Sequence, residues 1–358
     1  MLLIYICFAV IIFLIVLELC SRIYYKKRFK IKWISKNIGE YPFNKCVEKV
    51  AKPLYFRFKK NFKSRMLNIN SYGMRGEELS ENGKKKRIMI IGESIFFGSK
   101  LPKEKDLWKN YKLAEILKKK GIKNWEILNA GFPGYNAVQF YEWWKDTLKN
   151  LKPDILVFQC GGNDITQAYV FGDKWREGMP WPWEFILKQQ RRSKWWQKIL
   201  YRSCMYFIWR RKNITERKGF ESRSGVVDFE KCRDVIFKYS TKIIKEAKNM
   251  GTNVILVSLG SAYDKENLDE DIPQLDAIQS NWRESLATTG IPMIDFFNKW
   301  WLKKYSKDMN CETLDLYEIF RKAPNRYEMF IDVFHLNKYG HELVARAIFN
   351  KITELNWW

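Results

Sequence analysis

Met1 to Leu17 carries no charged side chain. With Glu18, Leu19 and Cys20 it makes an apolar run of about 20 residues, enough for a helix to cross roughly 30 Å of hydrocarbon. The run has no polar face, which predicts a transmembrane helix over 1–21 rather than a helix buried in a core. A cleaved signal peptide needs a basic start and a small-residue cleavage site, and this segment has neither. Further along, the pattern changes to short apolar runs. Ile88–Ile91, ended by Gly92, reads as a buried strand, and similar runs follow at Glu126–Leu128, Ile155–Gln159, Val254–Ser258 and Met293–Ile294. Between them, apolar positions recur at helical spacing over Asp106–Lys120, Ala137–Leu148, Phe229–Asn249, Leu275–Thr289 and Lys338–Thr353. Gly121, Gly251 and Gly290 stand where a helix should stop and a strand begin, the favoured place for a left-handed cap. Alternation of this kind predicts an α/β fold: a three-layer α/β/α sandwich with a parallel sheet of about five strands, preceded by the transmembrane helix.

Three regions follow the anchor at 1–21. Residues 22–67 form a basic, aromatic juxtamembrane segment, the turn-rich Asn68–Gly76 opens a folded domain over 68–358, and a Trp-rich insertion at about 166–225 interrupts it. Within the insertion, Trp196, Leu200, Cys204 and Phe207 form an apolar helical stripe beside a basic one of Lys194, Lys198 and Arg202. Such a helix either packs over the sheet or lies on a membrane surface or along an acceptor groove.

The net charge of +24 arises from lysines spread along the whole chain. It favours polyanions in general, and no nucleic-acid-binding motif accompanies it, so no specific nucleic acid partner is predicted. The seven cysteines include no CxxC pair and are odd in number, which argues for thiols rather than a disulfide framework. With His335 and His341 the only histidines, the sequence predicts neither a metal nor any other cofactor. The predicted partners are the lipid bilayer and a substrate. Arg22, Lys26, Lys27, Arg28, Lys30, Lys32 and Lys36 follow the apolar run, and by the positive-inside rule they place the rest of the chain in the cytoplasm.

Ser94 lies in Gly92-Glu93-Ser94-Ile95-Phe96-Phe97-Gly98, directly after the first predicted sheet strand. Ligands of open α/β sheets bind beyond the carboxyl ends of the strands, so a serine here is either a helix N-cap or a nucleophile at the active edge. A nucleophilic serine needs a base. His335 stands in Ile331-Asp332-Val333-Phe334-His335-Leu336-Asn337, where Asp332 can reach the ring nitrogen that faces away from the serine. His341 falls inside the last helix, where it reads as a capping or surface residue. Two glycine turns after strands, Asn129-Ala130-Gly131-Phe132-Pro133-Gly134-Tyr135-Asn136 and Gly161-Gly162-Asn163-Asp164, can supply oxyanion donors: the Gly134 N–H and the Asn163 side-chain amide. Each turn taken alone is a common structural motif.

The order of these four blocks resembles the SGNH or GDSL-type hydrolases, whose name lists serine, glycine, asparagine and histidine. The resemblance runs from about Asn68 to Lys351, interrupted by the insertion. It implies Ser94 as nucleophile, His335 and Asp332 as base and orienting acid, and Ser94 N–H, Gly134 and Asn163 as the oxyanion hole. Glu18-Leu19-Cys20-Ser21-Arg22 and Asn70-Ser71-Tyr72-Gly73-Met74-Arg75-Gly76 resemble a membrane-anchored subgroup acting on acyl groups of envelope glycans, which implies a domain outside the cytoplasm, against the flanking charges. One departure is Glu93, where the family has Asp before the serine; the carboxylate survives on a side chain one methylene longer. The expected function is a membrane-anchored serine esterase or O-acyltransferase acting on an acylated glycan or lipid. The rival reading is a non-catalytic, membrane-tethered glycan- or lipid-binding protein on the same fold.

Overall fold

A computed structural model describes residues 1–29, 43–64, 67–81, 84–99, 112–181, 203, 229–266 and 290–358. Its strands are β1 (Val47–Lys49), β2 (Phe56–Phe58), β3 (Lys86–Gly92), β4 (Trp125–Gly131), β5 (Ile155–Phe158), β6 (Asn253–Val257) and β7 (Glu312–Leu314). The principal helices are α1 (Leu2–Phe29), α2 (Ser94–Phe97), α3 (Ala114–Lys119), α4 (Ala137–Asp146), α5 (Gly162–Phe171), α6 (Phe229–Asn249), α7 (Ile291–Asp295), α8 (Leu316–Lys322) and α9 (Lys338–Glu354).

The first two strands pair antiparallel, and the other five make one parallel sheet in the order β4-β3-β5-β6-β7. Ile88 to Ile91 in β3 and Ile155 to Phe158 in β5 are all fully buried, as strands with both faces covered must be. Helix α6 presents Cys232, Val235, Ile236, Ser240, Ile243, Ile244 and Ala247 inward at three- and four-residue spacing, the stripe that seats a helix on a sheet. After β3 the chain moves to one side for β4 and returns to the other side for β5. That reversal makes the carboxyl end of β3 the topological switch point, where doubly wound folds bind ligands.

Gly121 and Gly251 take the left-handed conformation, with φ +70° and +81°, and close their helices as the sequence predicts. Ile122 N donates to Leu117 O at 3.0 Å and Thr252 N to Ala247 O at 3.0 Å, the bonds that satisfy last-turn carbonyls. Gly290 differs: its φ is −65°, right-handed, and a helix follows it. The predicted strand at Met293–Ile294 is therefore α7. Met293, Ile294, Phe297, Trp301 and Tyr305 form one continuous buried stripe at helical spacing, running through a π-helical segment Phe296–Tyr305. A short apolar run cannot by itself tell strand from helix. The fifth sheet strand is instead β7, recruited by pairing with β6 at the register Leu256↔Thr313.

The folded body also begins before Asn68. Phe58 is 1% exposed and lies 5.0 Å from Phe97 in a stacked arrangement and 4.4 Å from Phe132, so β1 and β2 belong to the core. Residues 166–171 continue α5, and Trp175 beyond them is buried, so this part of the expected insertion belongs to the hydrophobic core. The Trp196–Phe207 stripe, the helix expected at Leu275–Thr289 and the start of the one expected at Asp106 lie outside the described residues. In α1, Ile4–Tyr24 is 21 residues long and apolar enough to cross a membrane. Val10, Ile11, Ile12 and Phe13 point in four directions and each is at least 50% exposed, so the body covers no side of the helix there.

Candidate active site

Ser94 is the first residue of α2, and Glu93 is its N-cap, extended at φ −78° and ψ −159°. No side-chain cap bond is made at this N-terminus, so the capping alternative for Ser94 falls away. Its Oγ lies 2.9 Å from His335 Nε2, across 241 positions of sequence. On the far side of the ring, His335 Nδ1 lies 3.0 and 2.9 Å from the two oxygens of Asp332. With the Nδ1 proton facing that carboxylate, Nε2 is left to accept from the Ser94 hydroxyl.

The loop that carries both residues is held by its own backbone. Asp332 Oδ1 accepts from the Phe334 and His335 N–H groups at 3.0 and 2.7 Å, Ile331 N donates to His335 O at 2.7 Å, and Ala262 N, beyond β6, donates to Val333 O at 3.0 Å. Asn337 then caps α9 by accepting from Tyr339 and Gly340. Three donors to one aspartate, two backbone N–H groups and His335 Nδ1, thus aim the imidazole. His341 is fully buried in α9, which corrects its reading as a surface or capping residue: its helical position faces the core with Val344 and Ala345.

The two glycine turns flank Ser94 because β4 and β5 are the two neighbours of β3. Gly134 has φ +82°, which its turn requires and a Cβ would strain. Asn163 sits in the first turn of α5, and its Nδ2 donates to Tyr135 O at 2.8 Å, tying one turn to the other. A carboxamide has two N–H bonds, so the second stays available. Asn136 strengthens the same seam: it forms a capping box with Gln139, and its Nδ2 donates to Gln167 Oε1 at 3.2 Å and to Met179 O at 2.9 Å.

Glu93 does more than its position beside the serine suggests. Its Oε1 accepts from the N–H groups of Gly161 and Asn163, at 3.1 and 2.8 Å, while its own N–H donates to Gln159 Oε1 at 3.2 Å. The residue before Ser94 therefore grips the turn that carries Asn163. Burial pushes Glu93 up to about 8, against those two N–H donors, and the nearby Asp164 pushes the same way. Asp164, raised to about 7 by burial, accepts from Ala137 N and so fastens the start of α4. Glu93, Cys160 and Asp164 bring potential metal-ligand atoms within 4.8 Å of one another. All three are buried, and the two carboxylates already accept from backbone N–H groups, which suits a structural clamp better than an ion site. The sequence points to Glu93 and Asp164 only through their neighbours: one precedes the serine and the other follows the asparagine.

Residues 90–343 match the GDSL-like Lipase/Acylhydrolase family. No curated protein sequence matches the chain. Similar solved structures include an acetyl xylan esterase, 16% identical over 74% of this chain and 99% of that one, with a TM-score of 0.41. A lipase/acylhydrolase from Enterococcus faecalis is 16% identical over 75% of this chain and 95% of that one, at 0.40. A GDSL-like lipase from Bacteroides thetaiotaomicron is 14% identical over 75% and 89%, at 0.37.

Proposed function

This chain belongs to the GDSL-like lipase/acylhydrolase family, and from that premise we propose that it is a membrane-anchored serine esterase or O-acyltransferase working through Ser94, His335 and Asp332. The observation that carries the reading is the unbroken line from Ser94 Oγ through His335, 2.9 Å on each side, to Asp332. Ser94 Oγ attacks the ester carbonyl carbon as its proton passes to His335 Nε2, and Asp332 stabilises the imidazolium. The N–H groups of Ser94 and Gly134 and the second N–H of the Asn163 amide hold the oxyanion. Collapse breaks the ester C–O bond, and His335 returns its proton to the departing alcohol. A water molecule then releases the acid, or a sugar hydroxyl takes the acyl group; in both, His335 accepts the incoming proton and Ser94 recovers it.

The substrate proposed is an acyl ester, with acetyl included, on a glycan or lipid at a membrane. Ile4–Tyr24 serves as the anchor, and the catalytic body lies outside the cytoplasm. Hydrolysis of a short aryl ester by the unaltered chain, Ser94→Ala and His335→Ala tests the chemistry. Loss of activity by orders of magnitude in both variants, with loss of labelling by a serine-directed phosphonate in Ser94→Ala, supports it. Equal rates in all three leave a binding role as the better account.

A further inference from the structure

The Asn70–Gly76 segment has no part in the chemistry above, and it precedes residue 90, where the family match begins. It nevertheless delivers a buried cation to the nucleophile's helix. Arg75 is 1% exposed; its Nη1 donates to Phe97 O at 3.2 Å and to Gly98 O at 2.9 Å, and its guanidinium carbon lies 5.0 Å from the Phe97 ring centre. Those carbonyls end α2, the four-residue helix that begins with Ser94. Ser94 O and Ile95 O accept from the N–H groups of Ser99 and Gly98 just beyond the helix, and the cation at its C-terminal end takes up the carbonyls that follow while opposing the dipole.

The rest of the segment explains how the arginine gets there. Asn70 Oδ1 accepts from the N–H groups of Tyr72 and Met74, both at 3.0 Å, and Gly73 takes φ +81° to complete the turn. Arg75 then bridges to Ile69 and to Asn129 of β4. Asn129 Nδ2 also reaches Phe97 O, at 3.5 Å. On the β4 side the helix has no room to drift, because a Cβ on Gly131 would sit 2.5 Å from Phe97 N. Helix α2 is thus seated against β4 at one flank and held at its end by Arg75.

We propose that Arg75 is a positioning residue for the nucleophile: by holding the Phe97 and Gly98 carbonyls it fixes α2 and so the register of Ser94 Oγ against His335. The inference rests on Ser94 being the nucleophile. A displacement of about 1 Å at a reacting atom lowers turnover by roughly a hundredfold, which sets the scale of the test.

The test uses the full chain in detergent, comparing unaltered protein, Arg75→Met, Arg75→Lys and Ser94→Ala for aryl-ester kcat and KM, phosphonate labelling rate and thermal melting. In folded Arg75→Met, kcat and labelling rate should fall together by roughly a hundredfold, with KM unchanged within about twofold. Arg75→Lys keeps a charge and a donor but not the planar stack on Phe97, and should recover part of kcat. Unchanged kcat in folded Arg75→Met, or a rise in KM alone, overturns the inference. If Arg75→Met does not fold, Arg75→Lys decides: a lower kcat at constant KM supports the role, and an unaltered kcat overturns it. Full activity in Ser94→Ala overturns the nucleophile assignment and this inference together. Loss in Ser94→Ala with full activity in the Arg75 variants overturns this inference alone.

Discussion

Glu93 occupies the space that a side chain at Gly162 would need: a Cβ there would lie 2.6 Å from Glu93 Oε2. The acid before Ser94 and the glycine before Asn163 are matched in size. Gly162→Ala should destabilise the protein by about 1–3 kcal/mol through overpacking. In a Glu93→Asp background, where the carboxylate is withdrawn by one methylene, the same change should cost less. Thermal melts of the four proteins give the coupling; strictly additive costs would show that the two positions do not share this space.

The buried carboxylates make stability depend on pH in a defined direction. Glu93 rises from 4.5 to about 8 and Asp164 from 3.8 to about 7. Across that window the folded chain keeps protons that the unfolded chain has released, so stability is greatest at the acid side and is lost as pH rises towards 8. Glu93→Gln removes its share of the slope. A melting temperature that falls less steeply with pH in Glu93→Gln is the expected result, and parallel curves would refute it.

Asn163→Ala tests the oxyanion role. Removing one such donor lowers kcat by roughly 10²–10³. Because the amide also donates to Tyr135 O, some loss of stability is expected as well. The deciding measurement is kcat at a temperature where the variant is fully folded; a change confined to melting would leave Asn163 a purely structural residue.

Asp332→Asn separates orientation from folding. The new side chain can still accept from the Phe334 and His335 N–H groups, but it presents an N–H to His335 Nδ1 and favours the tautomer that cannot accept from Ser94. Turnover should drop by roughly 10⁴ with little change in melting. Near-normal turnover would remove Asp332 from the mechanism.

Much of this arrangement is legible in the chain itself, for physical reasons. The runs at Ile88–Ile91 and Ile155–Phe158 are buried on both faces, so their apolarity is continuous and plain. Ser94, His335 and Asp332, which the structure brings together, each follow a readable local signal: a serine after a strand, and a carboxylate three residues ahead of one of only two histidines. Met293–Ile294 misleads because its helix is buried on a face whose period a two-residue run cannot display. Strand β7 is invisible because Glu312-Thr313-Leu314 becomes a strand through its partner, not its composition. The clamp of Glu93 on Gly161 and Asn163 joins positions almost 70 apart, a relation no local pattern carries.

Sidedness of the membrane is open to a direct test. A reporter active only outside the cytoplasm, fused after Trp358, should be active under the proposed orientation. Activity confined to a cytoplasmic reporter would instead follow the charges from Arg22 to Lys36 and reverse the proposal.

The Phe58–Phe97 stack also sets a working radius. It fastens β2 and the segment around it to the catalytic body, so residues 30–42 are the covalent connection between that body and α1, which carries the proposed anchor. Fully extended, the fourteen Cα–Cα steps from Phe29 to Phe43 reach about 50 Å. Under the proposed anchoring, that length is the upper bound on how far the body can stand from the end of α1: esters within it are in reach, and polymers farther away must come to the site.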